Sequence, residues 1–281
     1  MLLPAVIWIV ALTIFPLLYS LWIAFTSQRL GVSGQWIGFD NFARALTDER
    51  FLSSLRFTAF FVIVAVAIEM VLGFALALLL DTVVSLRGIV RTIWTMPLFA
   101  TPVAIAYLGL TLFNETGGPI NSLLASLGLP GVPWLSSVAV APWTVVLLDV
   151  WQWTPFVVLI LFAALQSVSV ETIEAARVDG AGPLALVRYV LLPLLRPAIV
   201  TVVFLRFTDA VKMFDFSFAL TGGGPGTSTE VASLYVYRRA LQDFNLGYGA
   251  ALAYILFVLA LVVGLTLLAQ FRRTSIPEAQ G

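Results

Sequence analysis

The chain contains six mostly apolar runs, each long enough to cross a lipid bilayer as a helix. They lie at about 2–25, 57–80, 92–113, 138–165, 197–220 and 248–270. About 20 apolar residues in a helix cover the roughly 30 Å of hydrocarbon in a bilayer. Helices are expected because lipid offers no hydrogen-bond partner to unpaired backbone groups. The sequence therefore predicts an all-α polytopic membrane protein with six transmembrane helices, forming a single domain over residues 1–281.

The composition fits the same class. The 281 residues are 60% hydrophobic and 11% charged, and the formal net charge is zero. A soluble domain usually has about 25% charged residues, so this composition is typical of a protein embedded in a lipid bilayer. A balanced charge gives no reason to expect a nucleic-acid partner.

Missing residue types exclude several kinds of chemistry. The chain has no histidine and no cysteine, which removes the usual ligands of haem and zinc and any Ser/His or Cys/His nucleophile pair. Its one lysine, Lys212, does not follow a glycine, so a phosphate-binding loop of the G-x-x-x-x-G-K-[ST] type is absent. We therefore expect no catalytic residue, metal or cofactor in this chain, and no ATPase activity of its own.

One polar insert, residues 171–197, has the pattern of two short helices that meet at a turn. Its sequence is ETIEAARVDGAGPLALVRYVLLPLLRP. Glu171 and Glu174 would lie in the first turn of the first helix, where acids complement the helix dipole. Gly180 supplies a backbone position without side-chain restriction at the turn. The spacing alone leaves two interpretations, a docking surface or an ordinary helical loop at the membrane interface, since short motifs also match by chance.

The insert closely resembles the EAA loop, the signature of membrane subunits of binding-protein-dependent ABC importers. The residues that carry the resemblance are Glu174, Ala175, Ala176, Asp179, Gly180, Ala181, Pro193, Leu194 and Pro197. The resemblance implies a type I ABC importer permease-like fold, in which this loop is a cytoplasmic coupling helix seated in a cleft of a separate ATPase. It implies that Glu174 contacts the ATPase and that Gly180 forms the turn. The other residues of this coupling set are Ala175, Ala176, Asp179 and Ala181.

A second stretch, residues 214–242, is similar to the carbohydrate branch of the same family, which includes maltose, trehalose and glycerol-phosphate permeases. That branch has an LT-x-GGP element followed by a tyrosine-rich segment. The matching residues here are Leu220, Thr221, Gly223, Gly224, Pro225, Tyr235 and Tyr237. The resemblance implies import of a sugar or a related polyol or glycoside.

The resemblance also implies the partners and the location of the protein. This chain would form half of a pore together with a second permease subunit, with a heterodimer favoured. An ATP-binding subunit dimer would use ATP and Mg, and an extracytoplasmic solute-binding protein would deliver the solute. The chain is expected to be a multi-pass protein in the plasma or inner membrane of a prokaryote. The loops at 81–91, 166–196 and 271–281 are the shorter and arginine-denser set, which agrees with a cytoplasmic EAA loop.

The fourth apolar run combines an acid, an amide and aromatic rings. Their spacings of one, three and four place them on one helix face. The residues are Asp149, Gln152, Trp153 and Phe156. Because apolar sugar faces stack on rings while hydroxyl groups need donors and acceptors, these side chains are candidates for the substrate path. The alternative is an aromatic core stripe with one satisfied acid.

The fifth run carries charges of alternating sign at a spacing of three, on Arg206, Asp209, Lys212 and Asp215. Charges inside a span cost about 2.5–3.5 kcal/mol each and seldom face lipid. One interpretation is a set of internal ion pairs that hold this helix against its partners. The other is that part of the ridge lines the translocation path, for which Asp209 and Met213 are the candidates. Glu69, in the second run, is interpreted as a structural interhelical group.

The alternative function is a secondary sugar transporter coupled to protons or sodium. Glu69, Asp149 and Asp209 would be its relay. Six spans are few for such a transporter, and the EAA loop would then have no role.

Overall fold

The computed structural model describes residues 3–82 and 87–275, most of which are helical. Within these ranges the only β-structure is two isolated bridges, Thr26 with Trp36 and Arg29 with Val32. Five described helices are long and apolar enough to cross a membrane. They are Val6–Ala24, Glu49–Asp81, Ala141–Leu165, Pro183–Ala210 and Leu246–Ala269. The predicted all-α membrane architecture is therefore confirmed.

Thirteen α-helices are present in the described part of the chain. In chain order they are α1 Leu3–Ile9, α2 Phe15–Ala24, α3 Asp40–Thr47, α4 Glu49–Thr82, α5 Arg87–Phe99, α6 Pro102–Leu112, α7 Pro119–Ser126, α8 Ala141–Leu165, α9 Val170–Val178, α10 Pro183–Ala185, α11 Leu192–Ala210, α12 Ala232–Tyr237 and α13 Leu246–Ser275. Four wider π-helical segments accompany them, at Val10–Ile14, Leu186–Leu191, Phe216–Leu220 and Arg238–Gln242. The first of these joins α1 to α2, and the second joins α10 to α11.

The third predicted span, 92–113, is two helices rather than one. Helix α5 ends at Phe99, and α6 begins at Pro102. Thr101 is extended (φ −68°, ψ 144°) because a proline that follows disfavours helical backbone, and its hydroxyl accepts a hydrogen bond from the N–H of Ala104 at 3.3 Å. The six predicted crossings are thus five continuous helices and one interrupted pair.

The limits of two other predicted spans also change. The second begins at Glu49 rather than at 57. The fifth begins inside the polar insert, at Pro183, and its α-helix ends at Ala210 instead of 220. The last ten residues of that prediction form a bend followed by the π-helical segment Phe216–Leu220. Residue 2 of the first predicted span, like residues 83–86 and 276–281 of the arginine-dense loops, lies outside the described part of the chain.

The segment between α2 and α4 is an ordered cap. Asn41 donates hydrogen bonds from Nδ2 to the carbonyl oxygens of Ala24 and Thr26, both at 2.9 Å. Asp48 accepts hydrogen bonds at Oδ2 from the hydroxyl groups of Tyr235 (2.5 Å) and Tyr248 (2.6 Å). Burial acts to raise the pKa of Asp48, but these hydrogen bonds outweigh it and leave the pKa below its ordinary value. The cap is therefore fastened to α12 and α13.

Three clusters of buried apolar side chains lie along the bundle. The first joins α4, α6, α8 and the π-helical segment after α11, the second joins α4, α8 and α11, and the third lies between α3, α4, α12 and α13. Their fully buried members include Phe61, Val145, Phe216, Ala77, Leu161, Leu195, Phe51, Tyr235 and Tyr248. By contrast, the most apolar window of the first crossing has no buried residue, which suits a helix that faces lipid.

Helices α4 and α8 approach each other closely at Gly73. A Cβ atom built on Gly73 would lie 2.5 Å from Cγ1 of Val157 and 2.8 Å from its Cβ. Val157 is fully buried and β-branched, so it has little freedom to move aside. A larger residue at position 73 must therefore separate the two helices.

We predict that Gly73→Ala destabilises the protein although alanine is the better helix former. Overpacking costs about 1–3 kcal/mol, against a helix-propensity gain of about 1 kcal/mol. Gly264→Ala is the matched control, because its added Cβ would meet only ordinary contacts with Phe204 (3.5 Å) and Phe207 (3.8 Å). Thermal unfolding of the purified chain in detergent measures both. Equal melting temperatures for the two variants would contradict the close approach.

Candidate functional site

A buried cluster of ionisable side chains joins three of the crossings. The Arg206 guanidinium on α11 binds the Glu69 carboxylate on α4 through two bonds, Nε to Oε2 (2.6 Å) and Nη2 to Oε1 (2.8 Å). The same Nη2 donates to Oδ2 of Asp149 on α8 at 2.9 Å. Arg206 is 1%, Glu69 0% and Asp149 2% exposed. We call these three residues the Arg206 triad.

The geometry of the triad explains how it persists inside the bundle. An isolated ion buried in protein is strongly destabilising, and it is tolerated when paired and hydrogen-bonded. Here the planar guanidinium meets one carboxylate in a bidentate pair and a second carboxylate through the same nitrogen. The Trp153 ring adds a cation–π contact, with its centroid 4.6 Å from Cζ of Arg206. The triad therefore fastens α4, α8 and α11 at one point.

The pairing differs from the local pairing along the fifth run that the sequence suggested. Among the described residues of the ridge, only Arg206 and Asp209 pair with each other, with Nη1 and Oδ2 3.6 Å apart. The strong partners of Arg206 come from other helices, and Glu69 is an interhelical group, as expected. The ion-pair interpretation is thus correct for Arg206 but does not account for Lys212 or Asp215.

A polar cavity of about 170 Å³ lies beside the triad. It is lined by Pro102, Asp149, Trp153, Arg206, Asp209, Ala210, Lys212, Met213, Asp215 and Phe216. Four of the residues predicted for a substrate path come together here, namely Asp149, Trp153, Asp209 and Met213. Sequence reasoning did not select Arg206, Lys212 or Asp215 for the site, although their charge inside an apolar run was a usable signal.

The two other candidates from the fourth run do not line this cavity. Gln152 is 1% exposed and donates from Nε2 to the carbonyl oxygen of Ala100 at 3.1 Å, at the break between α5 and α6. Phe156 packs edge-on against Trp153, with ring centroids 6.2 Å apart. Gln152 therefore satisfies the broken backbone of the third crossing, and Phe156 supports the Trp153 ring.

Two charged side chains of the cavity are exposed within the fifth apolar run. The Asp209 side chain is 51% exposed, and Lys212 is also exposed. Lys212 has no ion-pair partner within 4 Å among the residues that the structure describes. Charged groups at membrane depth are far more stable in water or against a polar partner than against lipid. This face of the molecule is therefore not a lipid-facing surface.

The predicted coupling set forms a rigid knob at one end of the bundle. Helix α9 begins with Ser169, whose hydroxyl accepts a hydrogen bond from the N–H of Thr172 at 3.3 Å. It ends in a Schellman motif, in which the Ala181 N–H donates to Ala176 and the Gly180 N–H donates to Arg177, both at 3.0 Å. Gly180 adopts φ +83°, the left-handed region that favours glycine. The predicted helix–turn–helix is confirmed, although the second helix continues into the fifth crossing.

The knob is exposed, and its surface includes apolar side chains. Glu174, Ala175 and Asp179 are exposed, and Ala176 and Ala181 are half-buried. The exposed apolar residues around them include Val170 (64%), Val178 (87%), Leu184 (79%) and Tyr189 (71%). Apolar side chains grouped on a polar loop are typical of a contact surface. The structure thus places the six residues of the coupling set together, on α9 and the turn that follows it, and four of the six are exposed.

At the other end of the bundle, the glycine-rich element around 221–229 is a well-bonded loop. The Thr229 hydroxyl donates to the Gly224 carbonyl oxygen at 2.7 Å and lies 2.6 Å from the Thr221 hydroxyl. Glu230, which follows, is fully buried and pairs with Arg50 at 2.7 Å and with Arg238. This loop therefore has a fixed shape.

Comparison with known proteins gives a consistent result. The family model described as "Binding-protein-dependent transport system inner membrane component" matches residues 70–272. A probable ABC transporter permease protein of Sinorhizobium fredii is 38% identical and covers 88% of this chain and 81% of its own length. The trehalose/maltose transport system permease protein MalF of Thermococcus litoralis is 31% identical over 97% of this chain and 93% of its own.

Solved structures agree with this similarity. A chain of a bacterial ABC transporter involved in the import of the acidic polysaccharide alginate superimposes with a TM-score of 0.87 at 27% identity. The match covers 98% of this chain and 95% of that chain. The same alginate transporter in complex with a periplasmic protein bound to an alginate pentasaccharide also gives 0.87, at 26% identity over 98% of this chain and 93% of that one.

We predict that Arg206→Met destabilises the chain by about 3–5 kcal/mol, because Glu69 and Asp149 would be left buried without their cation. The triple variant Arg206→Met, Glu69→Gln, Asp149→Asn removes all three charges and should recover most of that loss. Thermal unfolding of the purified chain in detergent measures each variant. If the single and triple variants were equally destabilised, the triad would not be the source of the effect.

Proposed function

We propose that this chain, which belongs to the family of inner membrane components of binding-protein-dependent transport systems, is the permease subunit of an ATP-driven importer of a sugar or a related polyol or glycoside. It would form half of the translocation pore. The observation that carries this proposal is the cavity beside Trp153, where Asp209 and Lys212 are exposed inside an apolar run. A face of that kind needs a water-filled path or a polar partner.

The half-pore follows from the position of the cavity. It lies between the middle of α8, the end of α11 and the start of α6, and part of its charged wall is on the surface of the chain. A second permease subunit seated on this face would cover the exposed charges and enclose a polar passage. Such an arrangement is the expected use of a cavity lined by residues of several crossings.

The residues of the cavity suit a hydroxyl-rich solute. Trp153 offers an aromatic ring, and the exposed Asp209 and Lys212 offer a hydrogen-bond acceptor and a donor beside it. Trehalose and maltose occur in the name of one relative, which supports a saccharide cargo for this chain as well. An extracytoplasmic solute-binding protein would deliver that cargo.

The knob around Gly180 would receive the driving force. A separate ATP-binding subunit dimer on the cytoplasmic side would grip Glu174, Ala175, Ala176, Asp179, Gly180 and Ala181. The Schellman turn holds these groups in one arrangement, so a movement of the ATPase would be passed to α10 and α11 rather than absorbed by the loop. In this proposal the chain lies in the inner membrane of a prokaryote, and ATP with Mg is used by the partner.

The ion-coupled alternative fits the charges less well. Glu69 and Asp149 share the single cation Arg206 and are buried, so neither is placed as an accessible relay group. Of the three relay candidates, only Asp209 is exposed. The knob would also have no role in such a transporter.

We predict that Gly180→Val abolishes most coupled uptake while the chain still inserts and assembles. Valine at φ +83° is strained by about 1–2 kcal/mol, so the turn would rearrange and docking would weaken by about tenfold. ATP-driven uptake of trehalose and maltose by the reconstituted complex is the measurement. Gly182→Val is the matched control, because Gly182 has φ −70° and ψ 170°, which valine adopts readily. Normal uptake by the Gly180 variant would remove the coupling role.

We predict that Trp153→Ala raises the KM for uptake of trehalose and maltose, because a stacking surface of the path is lost. Loss of one aromatic contact corresponds to about 0.5–1.5 kcal/mol, or about a threefold to tenfold change. Trp151→Ala is the matched control on the same helix, because Trp151 is 48% exposed and lines a separate apolar cleft with Leu72 and Leu147. Unchanged kinetics in the Trp153 variant, with the complex intact, would show that this face only packs.

A further inference from the structure

The charges around the cavity do not balance. Four carboxylates belong to it or bind its arginine, on Glu69, Asp149, Asp209 and Asp215, whereas the cations are Arg206 and Lys212. Four acids against two bases leave a formal charge of −2. If the buried pair of carboxylates held one proton between them, the charge would still be −1. The wall of the cavity is therefore net negative in either state.

The arrangement of the charges leaves the negative ones available to a solute. Arg206 is engaged by Glu69 and Asp149 and is 1% exposed, so its positive charge is largely neutralised within the triad. Asp209, whose side chain is 51% exposed, lies 3.6 Å from the same guanidinium, at the open side. Asp215 is half-buried and has no ion-pair partner within 4 Å among the described residues. A solute in the cavity thus meets two carboxylates and one ammonium group directly.

A net charge in a small cavity inside a mostly apolar bundle acts strongly on a passing ion. Low-dielectric surroundings focus the electric field of such a charge. Fields of this kind change the local concentration and the association rate of a charged solute by about 10–10³-fold. A neutral sugar is little affected by this field. A uronate or a sugar phosphate would be repelled, and an amino sugar would be attracted.

We propose that this half of the path filters cargo by charge, with Asp209 and Asp215 as the specificity-determining residues and Lys212 as the group that limits their effect. The cavity admits neutral and amino sugars and disfavours anionic ones. This inference rests on the proposed import function, and it specifies the class of saccharide that the chain carries.

The chain offers a direct test because it contains no cysteine. Met213 lines the cavity, so Met213→Cys places a single thiol of this chain at the site. The probes are the cationic and anionic methanethiosulfonate reagents MTSET and MTSES, applied to the assembled complex. The ratio of the rates at which MTSET and MTSES modify the introduced thiol is divided by the ratio of their rates with free 2-mercaptoethanol. The complex without the added cysteine gives the background rate. Ser126→Cys, on the exposed face of α7, is the control thiol.

The filter predicts a normalised ratio for Met213→Cys that exceeds the control by about tenfold. Asp209→Asn and Asp215→Asn should each lower the ratio, and Lys212→Gln should raise it, while the ratio at the Ser126→Cys control stays constant. If Met213→Cys does not assemble, Ala210→Cys replaces it, since Ala210 lines the same cavity.

Two results would overturn the filter. One is a normalised ratio at or below that of the control, which would mean that the cavity is not negative. The other is the absence of reaction with either reagent at both cavity positions, which would mean that water does not reach the cavity. Uptake of trehalose and maltose by the same reconstituted complex separates this outcome from failure of the proposed function. If the sugars are taken up but the cavity is not negative, only the charge filter is wrong. If the cavity is negative but no ATP-driven uptake occurs, the proposed import function is wrong.

Discussion

The structure depends on one buried guanidinium. Arg206 lies inside a bundle whose walls are otherwise apolar, and an ion there is stable only if carboxylates reach it from neighbouring helices. Glu69 and Asp149 meet this need from α4 and α8, with bonds of 2.6–2.9 Å. The triad thereby fixes the relative positions of three crossings. It also leaves an unbalanced negative charge beside the cavity, because one cation serves two acids.

The triad and the knob are the two ends of one structural element. The helical stretch Pro183–Ala210 begins three residues after Gly180 and contains Arg206 near its end. At about 1.5 Å per residue, roughly 35 Å separate its first turn from Arg206. This helical stretch links the knob directly to the wall of the cavity. It gives the proposed coupling a physical route along one continuous helical element.

The interrupted third crossing shows how the chain satisfies backbone groups at membrane depth. Helix α5 ends at Phe99 and α6 begins at Pro102, so carbonyl groups near residue 100 lose their helical partners. The buried amide of Gln152 donates to one of them, the carbonyl of Ala100. A break in a crossing is tolerated where a neighbouring helix supplies such a partner. The sequence predicted Gln152 as a substrate-path residue beside Trp153. In the structure its amide forms this hydrogen bond at the break.

The sequence by itself determined the class of the protein, the approximate crossings and the turn at Gly180. These features depend on local information: the length of an apolar run, the demand of lipid for internal hydrogen bonds, and the left-handed backbone that Gly180 accepts. Only the tertiary structure decided which charges pair. The spacing of charges in the fifth run predicted ion pairs between neighbours on one helix. In the structure Arg206 binds Asp149 and Glu69, which lie 57 and 137 residues away in the chain. The energy of an ion pair depends on distance in space and on burial, and neither quantity can be obtained from the order of residues along a single helix.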